Sequence, residues 1–189
     1  MDPAAGAQRR TFVLVDGENI DATLGGSLFN RRPAPDERPR WDRVTEFARD
    51  LWTQPVTGLF FLNASTGQLP IPFVQALLAM GYRPIPLAGR PDQKVVDVGI
   101  QRTLEALRGH DADVLLVSHD GDFADQVEQL LDNQRRVGLI ALREYASNRL
   151  TALGIGLHDL EDDVKAFNAP LPRTRIIALE DFDPERFLV

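Results

Sequence analysis

Short apolar runs alternate with stretches of helical periodicity along most of the chain, and this alternation constrains the fold more than any other feature. Five runs predict strands, namely TFVLVD (11–16), TGLFFLN (57–63), RPIPL (83–87), DVLLVS (113–118) and RVGLIAL (136–142). A short sixth strand is expected within GLHDLEDDV (156–164). Strands that alternate with helices favour right-handed crossovers and a parallel sheet that is covered on both faces. The sequence therefore predicts an α/β domain with a mainly parallel central sheet of about five or six strands flanked by helices.

The segments between these runs carry apolar residues at helical spacing. We expect helices at 41–52, 72–82, 94–109, 122–133 and 147–154. Gly81 is expected to close the second of these, and the apolar stripes in RTLEAL and QVEQLL are interpreted as core. Residues 25–40 are rich in glycine, proline and arginine, which predicts a loop.

The length of 189 residues, 43% of them hydrophobic, suits one domain with a proper core and is too short for two. We expect a flexible N-terminus at 1–10, the folded domain at 11–168 and a C-terminal tail at 169–189. Within that tail, RIIAL is equally well explained as an edge strand, on its own domain or on a second copy, and as part of a loosely held terminus.

No stretch of the sequence resembles a membrane span or a secretory signal peptide. There is no cysteine, which excludes disulfides and thiolate zinc sites and is compatible with a reducing compartment. We therefore expect a cytoplasmic protein with no membrane partner.

The net charge of −7 argues at first against a nucleic-acid partner. From Asp159 onward, however, eight acids stand against four bases, so the 158 residues before it carry only −3. If several carboxylates in that part faced a metal ion, the remaining surface would be close to neutral. The charge therefore leaves a nucleic-acid partner open.

Two of the predicted strands end in acids, Asp16 after the first and Asp120 after the fourth, with Asp122 following across a single glycine. Asp97 lies early in the helix that precedes the fourth strand. Each acid alone has an ordinary explanation, as a turn residue, a helix cap or a first-turn acid. If the first and fourth strands are neighbours, however, all four converge beyond the carboxyl ends of the sheet, where ligands bind in such folds.

Four carboxylates at one point repel one another unless some are protonated or a cation binds among them. Oxygen ligands without cysteine favour a hard ion, Mg²⁺ or Mn²⁺. Such an ion activates water and stabilises a leaving oxygen, so the predicted site suits hydrolysis of a phosphodiester.

Three segments, VLVDGENI (13–20), KVVDVGI (94–100) and LLVSHDGDF (115–123), resemble in this order the three acidic motifs of the NYN domain family. That family belongs to the PIN-like nuclease superfamily, and the LabA-like branch is the nearest match. The similarity spans about residues 11–160. It implies a PIN-like three-layer sandwich and a Mg²⁺- or Mn²⁺-dependent endoribonuclease that leaves 5′-phosphate and 3′-hydroxyl ends. The partner would be RNA, single-stranded or structured, and a homodimer is expected because PIN-like proteins often pair.

By the same resemblance, the catalytic residues and metal ligands are four aspartates, namely Asp16, Asp97, Asp120 and Asp122. Asn19 matches a polar position of the first motif that faces the active site. Lys94 matches a lysine of the second motif and would touch the substrate backbone, although a solvated helix-start residue explains it equally well. Ser118 is expected to hydrogen-bond a ligand carboxylate or a phosphate.

Two features depart from the family pattern. His119 stands where many relatives have glycine, so it would donate to a phosphate or act as an acid, or it is a tolerated surface variant. The loop that contains Arg31, Arg32, Arg38 and Arg40 is longer than the family minimum. Those arginines would grip RNA, with Arg31 and Arg32 as the leading candidates, or the loop is simply solvated.

Two other classes of function remain open at this stage. The chain could be a catalytically weak or inactive module that binds metal and RNA in a regulatory role. It could also be a Toprim-like phosphotransfer enzyme, since DGD supplies the Asp-x-Asp of that class, although Asp16 stands where that class has a glutamate.

Overall fold

In the computed structural model, which describes residues 9–188, the apolar runs form one six-stranded sheet. The strands are β1 (Arg10–Asp16), β2 (Val56–Asn63), β3 (Tyr82–Leu87), β4 (Ala112–Val117), β5 (Val137–Ala141) and β6 (Gly156–Asp159). All neighbours pair in parallel, in the order β3-β2-β1-β4-β5-β6. The predicted α/β fold with a parallel sheet is therefore confirmed, and the sixth strand is present.

Helices cover both faces of this sheet and complete the three layers. They are α1 (Gly17–Thr23), α2 (Trp41–Trp52), α3 (Ile71–Ala79), α4 (Val95–Leu107), α5 (Ala124–Glu128) and α6 (Asn148–Thr151). Helices α1, α2 and α3 contribute Ile20, Val44 and Leu77 to one apolar layer. The other layer contains Leu104 of α4 and Val127 of α5, which confirms that RTLEAL and QVEQLL supply core residues. Within the described residues, no helix is both long and apolar enough to cross a bilayer.

The order of the strands explains where a ligand can bind. The chain builds outward from β1 through β2 to β3, and α4 then carries it back so that β4 pairs with the free side of β1. The connections leaving β1 and β4 therefore diverge to opposite sides, which opens a crevice beyond the carboxyl ends of these two strands.

The structure corrects the sequence-based prediction in the segment after β1. Helix α1 begins directly at Gly17, and residues Leu24–Phe29 continue it as a π-helical turn, so the predicted loop at 25–40 is helical in its first part. Leu24 is fully buried and Phe29 packs against the same layer. Burial of these side chains outweighs the low helix propensity of Gly25 and Gly26.

Three other helices, α3, α5 and α6, are shorter than predicted, and one expected strand is missing. Helix α3 ends at Ala79, and Gly81 turns the chain with a φ of +80°, as expected for a closing glycine. Helix α5 spans only Ala124–Glu128, after a 3₁₀ turn at Gly121–Phe123, because side-chain and turn hydrogen bonds take over around Asp132. Within residues 9–188, RIIAL forms no strand, so the prediction of an edge strand on its own domain is wrong.

The predicted domain limits are only partly covered by the described residues. The expected flexible N-terminus lies outside them for residues 1–8. Arg9 is ion-paired to Asp113 at 2.9 Å and Arg10 begins β1, so these two residues are part of the folded structure. The limits at 168 and 169 stay a prediction.

A buried arginine is one of the contacts that hold the C-terminal tail on the domain. The side chain of Arg173 is 2% exposed and donates to Asp159 (2.7 Å), Glu161 (2.9 Å) and Glu144. Burial alone would raise the pKa of Asp159, but hydrogen bonds from Arg173 and from backbone N–H groups outweigh it and hold that pKa well below its usual range. Asp159 is therefore ionised and its charge is matched by Arg173.

We predict that Arg173→Ala lowers the free energy of unfolding by about 3 kcal/mol, because it leaves the buried carboxylate of Asp159 without its counter-charge. The matched control is Arg186→Ala, which removes an exposed pair with Asp183 and should cost less than about 1 kcal/mol. Urea denaturation of both variants checks this prediction. If both variants lose the same free energy of unfolding, Arg173 contributes no more to stability than an exposed ion pair.

Candidate metal centre

The pairing of β1 with β4 brings two polar strand ends together on one face of the sheet. In register, Leu14 pairs with Leu116, and both side chains lie in the layer that contains α4. Because side chains alternate along a strand, Asp16 and Ser118, each two residues further on, point into the same layer. The Ser118 hydroxyl donates to Asp16 Oδ2 at 2.9 Å, which joins the two strand ends.

Three carboxylates beside this junction form a compact cluster. Side-chain oxygens of Asp97, Asp120 and Asp122 all lie within 4.8 Å of one another. Asp97 reaches the site from the first turn of α4, and the other two come from the turn after β4. A Cβ on the intervening Gly121 would lie 2.3 Å from the Ser147 hydroxyl, so a residue without a side chain lets this turn pack closely against α6.

Hydrogen bonds hold the turn that carries two of these acids. The Asp120 backbone N–H donates to Ser118 Oγ at 3.1 Å, and the Asp120 carboxylate accepts from the Asp122 backbone N–H at 2.9 Å. Asp120 thus caps the short turn, as one sequence-based explanation of this residue predicted, the other being that it is a metal ligand. One oxygen of that carboxylate is used by the cap, and the carboxylate also belongs to the acidic cluster.

Asp16 lies deeper than the cluster and is electrostatically coupled to it. Its side chain is buried and accepts from the Asn19 backbone N–H at 3.3 Å as well as from Ser118. The pKa of Asp16 is raised to about 6: burial raises it most and the charges of Asp97 and Asp120 add to this, while the two hydrogen bonds lower it. The pKa of Asp97 is also raised, first by burial and then by Asp120 and Asp122, against the lowering effect of Lys94.

Two cations flank the acidic cluster. Lys94 Nζ lies 3.4 Å from Asp97 Oδ2 and 3.7 Å from Asp122 Oδ2, so the structure places this predicted substrate residue directly at the site. Arg149 Nη1 lies 4.0 Å from Asp122 Oδ1. Sequence reasoning missed Arg149, although the connection after β5 leaves the sheet at the same edge as those after β1 and β4. Both cations are more than half exposed and are therefore accessible to an anionic substrate.

The chemistry of the donor set fits a hard divalent ion. All three clustered groups are carboxylates, and Mg²⁺ binds oxygen at about 2.1 Å, which places its ligands up to about 4.2 Å apart. The observed limit of 4.8 Å is close to that span, so a small rotation of the side chains brings the three oxygens into range. Asp97, Asp120 and Asp122 would therefore hold the ion, with Asp16 as a neighbouring negative group.

Of the other predicted residues, Asn19 and His119 serve the scaffold. Asn19 Oδ1 accepts from the His119 backbone N–H at 2.8 Å, which ties α1 to the end of β4. His119 is buried, contrary to the surface position that one interpretation gave it. Its Nε2 accepts from the Leu142 backbone N–H at 2.9 Å, so the proton is on Nδ1, which lies 3.0 Å from Thr23 Oγ1. Both ring nitrogens are occupied inside the protein, which leaves neither for a phosphate.

Arg31 and Arg32, the remaining candidates, lie on the exposed segment after α1. Arg31 makes a bidentate pair with Glu37, at 2.6 and 2.7 Å, and is not among the cations beside the carboxylates. Arg32 is exposed and borders a cavity on the other side of the β1 end.

Comparison with known proteins agrees with this architecture. A model of the NYN domain family matches residues 10–154. The structure is similar to that of a protein of unknown function from Vibrio parahaemolyticus, with a TM-score of 0.64 and 21% identity over 85% of this chain and 98% of the other. Among curated proteins no match was found.

We predict that Mn²⁺ or Mg²⁺ raises the melting temperature, because an ion that binds only the folded state stabilises it. A hundredfold excess over Kd should raise it by about 5 °C or more relative to EDTA. The double variant Asp120→Asn with Asp122→Asn should show no such rise. Asp50→Asn, which removes an exposed acid on α2, is the control and should respond like the wild type. If the ion raises the melting temperature of the double variant as much as that of the wild type, it binds at another site.

We also predict a pH dependence of stability that originates at His119. Burial lowers its pKa to about 4, whereas the unfolded value is near 6.5, so the unfolded chain binds the proton more readily. Its contribution to stability is complete above about pH 6.5 and is lost as the pH falls towards 4, by at most about 1.4 kcal/mol per pH unit.

The matched variant is His119→Gln, whose amide oxygen can accept the Leu142 N–H without titrating. Urea denaturation at a series of pH values should give a steeper loss of stability in the wild type than in the variant between pH 6.5 and 4. Parallel curves would mean that His119 keeps its ordinary pKa.

Proposed function

The chain belongs to the NYN domain family, and from this premise we propose that it is a metal-dependent ribonuclease of the LabA-like branch. The observation that carries the proposal is the acidic cluster: three carboxylates within 4.8 Å of one another, beyond the carboxyl ends of neighbouring strands. The family match favours this reading over the Toprim-like alternative. The reaction is hydrolysis, in which a bond from water oxygen to phosphorus forms and the bond to the 3′-oxygen breaks, leaving 5′-phosphate and 3′-hydroxyl ends.

Asp97, Asp120 and Asp122 are the proposed ligands of a Mg²⁺ or Mn²⁺ ion, and the buried Asp16 adds a fourth negative group. When bound, the ion would supply an activated water and stabilise the charge on the leaving oxygen. Ser118 fixes Asp16 through the hydrogen bond at 2.9 Å, so it acts as a positioning residue. Its buried hydroxyl is occupied between Asp16 and the Asp120 N–H, which favours a ligand carboxylate over a phosphate as its partner.

Lys94 and Arg149 are the proposed contacts to the RNA backbone. Without RNA, Lys94 pairs with Asp97 and Asp122, which raise its pKa and keep it charged, whereas Arg149 donates to Asp125 at 3.0 Å and lies 4.0 Å from Asp122. A phosphate that enters beside the ion can take over these cations, since guanidinium and ammonium groups both bind phosphate oxygens. The same two residues would thus balance the carboxylates in the free protein and hold the substrate in the complex.

Three further expectations accompany this proposal. RNA is the proposed partner, a homodimer is expected by analogy with PIN-like proteins, and a cytoplasmic location is expected. Size-exclusion chromatography with light scattering tests whether the protein is a homodimer.

We predict that the double variant Asp120→Asn with Asp122→Asn lowers the rate of cleavage at least about a thousandfold, and that Asp16→Asn does the same, because both remove charge from the ion site. The assay uses single-stranded and hairpin RNA labelled at the 5′ end, with Mn²⁺, Mg²⁺ or EDTA. Asp50→Asn controls for loss of an acid elsewhere, and circular dichroism checks that each variant is folded.

Cleavage by the double variant at the wild-type rate would overturn the proposal, since it would show that another site or a contaminant cuts the RNA. A wild-type protein that binds these RNAs but cuts none of them with either ion would identify the alternative, an inactive module that binds metal and RNA. Sensitivity of the product to a 5′-phosphate-dependent exonuclease checks the polarity of the broken bond.

A further inference from the structure

A groove of about 530 Å³ opens on the side of the sheet opposite the acidic cluster. The apolar part of its lining is formed by aromatic and proline side chains, namely Trp41, Phe60, Phe73, Pro35, Pro70 and Pro72. The aromatic rings are fixed edge to face, with centroids 5.1 Å apart for Trp41 and Phe60 and 5.3 Å apart for Phe60 and Phe73. Of the three rings, Phe73 is the one that is only partly buried, so it offers a ring surface to a ligand.

The groove begins one residue away from the candidate metal centre. Gly17, which lines it, directly follows Asp16, and Phe61, also in its lining, pairs with Asp16 in the register of β1 and β2. The cluster lies in the layer of α4, whereas the groove lies among α1, α2 and α3. The end of β1 therefore lies between the groove and the layer that holds the cluster.

The charges at the mouth of the groove distinguish one arginine from its neighbours. Arg38 and Asp21 both line the groove but neutralise each other, at 2.9 Å. Arg32 lines the same mouth, is exposed and makes no ion pair within residues 9–188. Glu18, exposed at this mouth, can accept hydrogen bonds from the N–H groups of a base. A phosphate beside a flat base with N–H donors complements this combination of one cation, one carboxylate and an apolar wall.

We propose that this groove binds one unpaired nucleotide of a single-stranded RNA, with its base against Phe73 and its phosphate on Arg32. The proposal rests on the proposed function for the identity of the polymer, and it deepens that function by making single-stranded RNA the preferred substrate. Aromatic side chains hold unpaired bases with little regard to sequence, because every base has a flat π-face. A base that is paired in a duplex cannot enter the groove.

The test is a titration with the four ribonucleoside 5′-monophosphates in EDTA, followed by tryptophan fluorescence. The chain has two tryptophans, and Trp52 stacks on Arg136 away from the groove, so Trp52→Phe leaves Trp41 in the groove wall as the reporter. We expect a saturable change with each nucleotide and at least tenfold weaker binding of ribose 5-phosphate, which has no base.

Two substitutions in this background separate the contributions of phosphate and base. Arg32→Ala should weaken binding of nucleotides about tenfold and leave binding of nucleosides unchanged. Phe73→Leu keeps an apolar side chain for the fold and should weaken both about tenfold. Arg49→Ala removes an exposed arginine from the surface of α2 and is the matched control, which should bind like the parent.

Three outcomes would overturn the inference: no saturable change, equal binding of ribose 5-phosphate and nucleotides, or equal losses in Arg32→Ala and Arg49→Ala. Because the titration needs neither metal nor cleavage, it fails separately from the proposed function. If the protein binds nucleotides but does not cleave RNA, the proposed binding groove is supported and the proposed nuclease activity is rejected. If it cleaves RNA but does not bind nucleotides, only the proposed binding groove is rejected.

Discussion

The hydrogen-bonded pairing of β1 with β4 is the constraint on which the rest of the structure depends. These strands lie about a hundred residues apart in the chain, and each is buried on both faces by apolar side chains. Their register fixes which residues end together, and the alternation of side chains fixes which layer those residues face. A slip of one residue would turn Asp16 away from Ser118 and from the layer of α4. The same apolar contacts that stabilise the sheet therefore also determine the position of the carboxylates to within one residue.

The cluster that this register creates is unfavourable in itself. Two carboxylate charges 4.8 Å apart repel each other by about 3 kcal/mol at an effective dielectric constant of 20. Lys94 and Arg149 reduce that repulsion from the solvent side, while Ser118 and the Asn19 N–H stabilise the ionised form of Asp16 from within. Hydrogen bonds of His119 with Thr23, Asn19 and Leu142 tie the connections after β1, β4 and β5 to one another, which keeps the backbone that carries Asp16 and Asp120 in place. A site that stays in place despite its own repulsion is suited to bind a cation tightly, since the cation replaces repulsion by attraction.

The sequence contains enough information for the sheet and for the acids, and less for what surrounds them. Apolar runs predicted the first five strands, and those of β1, β2, β4 and β5 are continuous because these strands are buried on both faces. The edge strand β6 was expected only as a short strand within residues 156–164. The two acids that end strands pointed to the edge where ligands bind. Helix α1 is too short to show a helical pattern in the sequence. The glycines after it predicted a loop, whereas burial of Leu24 stabilises a π-helical turn there. The burial of His119 could not be foreseen, because it depends on Leu142 and Thr23, which are distant in the chain and have no sequence signature. Arg149, in contrast, could have been predicted. It lies on the connection after β5, which leaves the sheet at the same edge as the connections after β1 and β4.

The charge of the molecule imposes a condition on any binding of RNA. A chain of net charge −7 with carboxylates at its site repels a polyanion at long range, so an encounter must rely on local neutralisation. In the proposed function, a divalent ion together with Lys94 and Arg149 would make the immediate surroundings of the cluster neutral or positive, which would couple the affinity for RNA to the presence of metal. The apolar groove beside Arg32 contributes in another way, because stacking of a base does not depend on net charge and is not screened by salt. In this proposal an acidic protein would hold a strand of RNA at two points, by charge at the cluster and by an aromatic surface in the groove, and the groove would become relatively more important as the ionic strength rises.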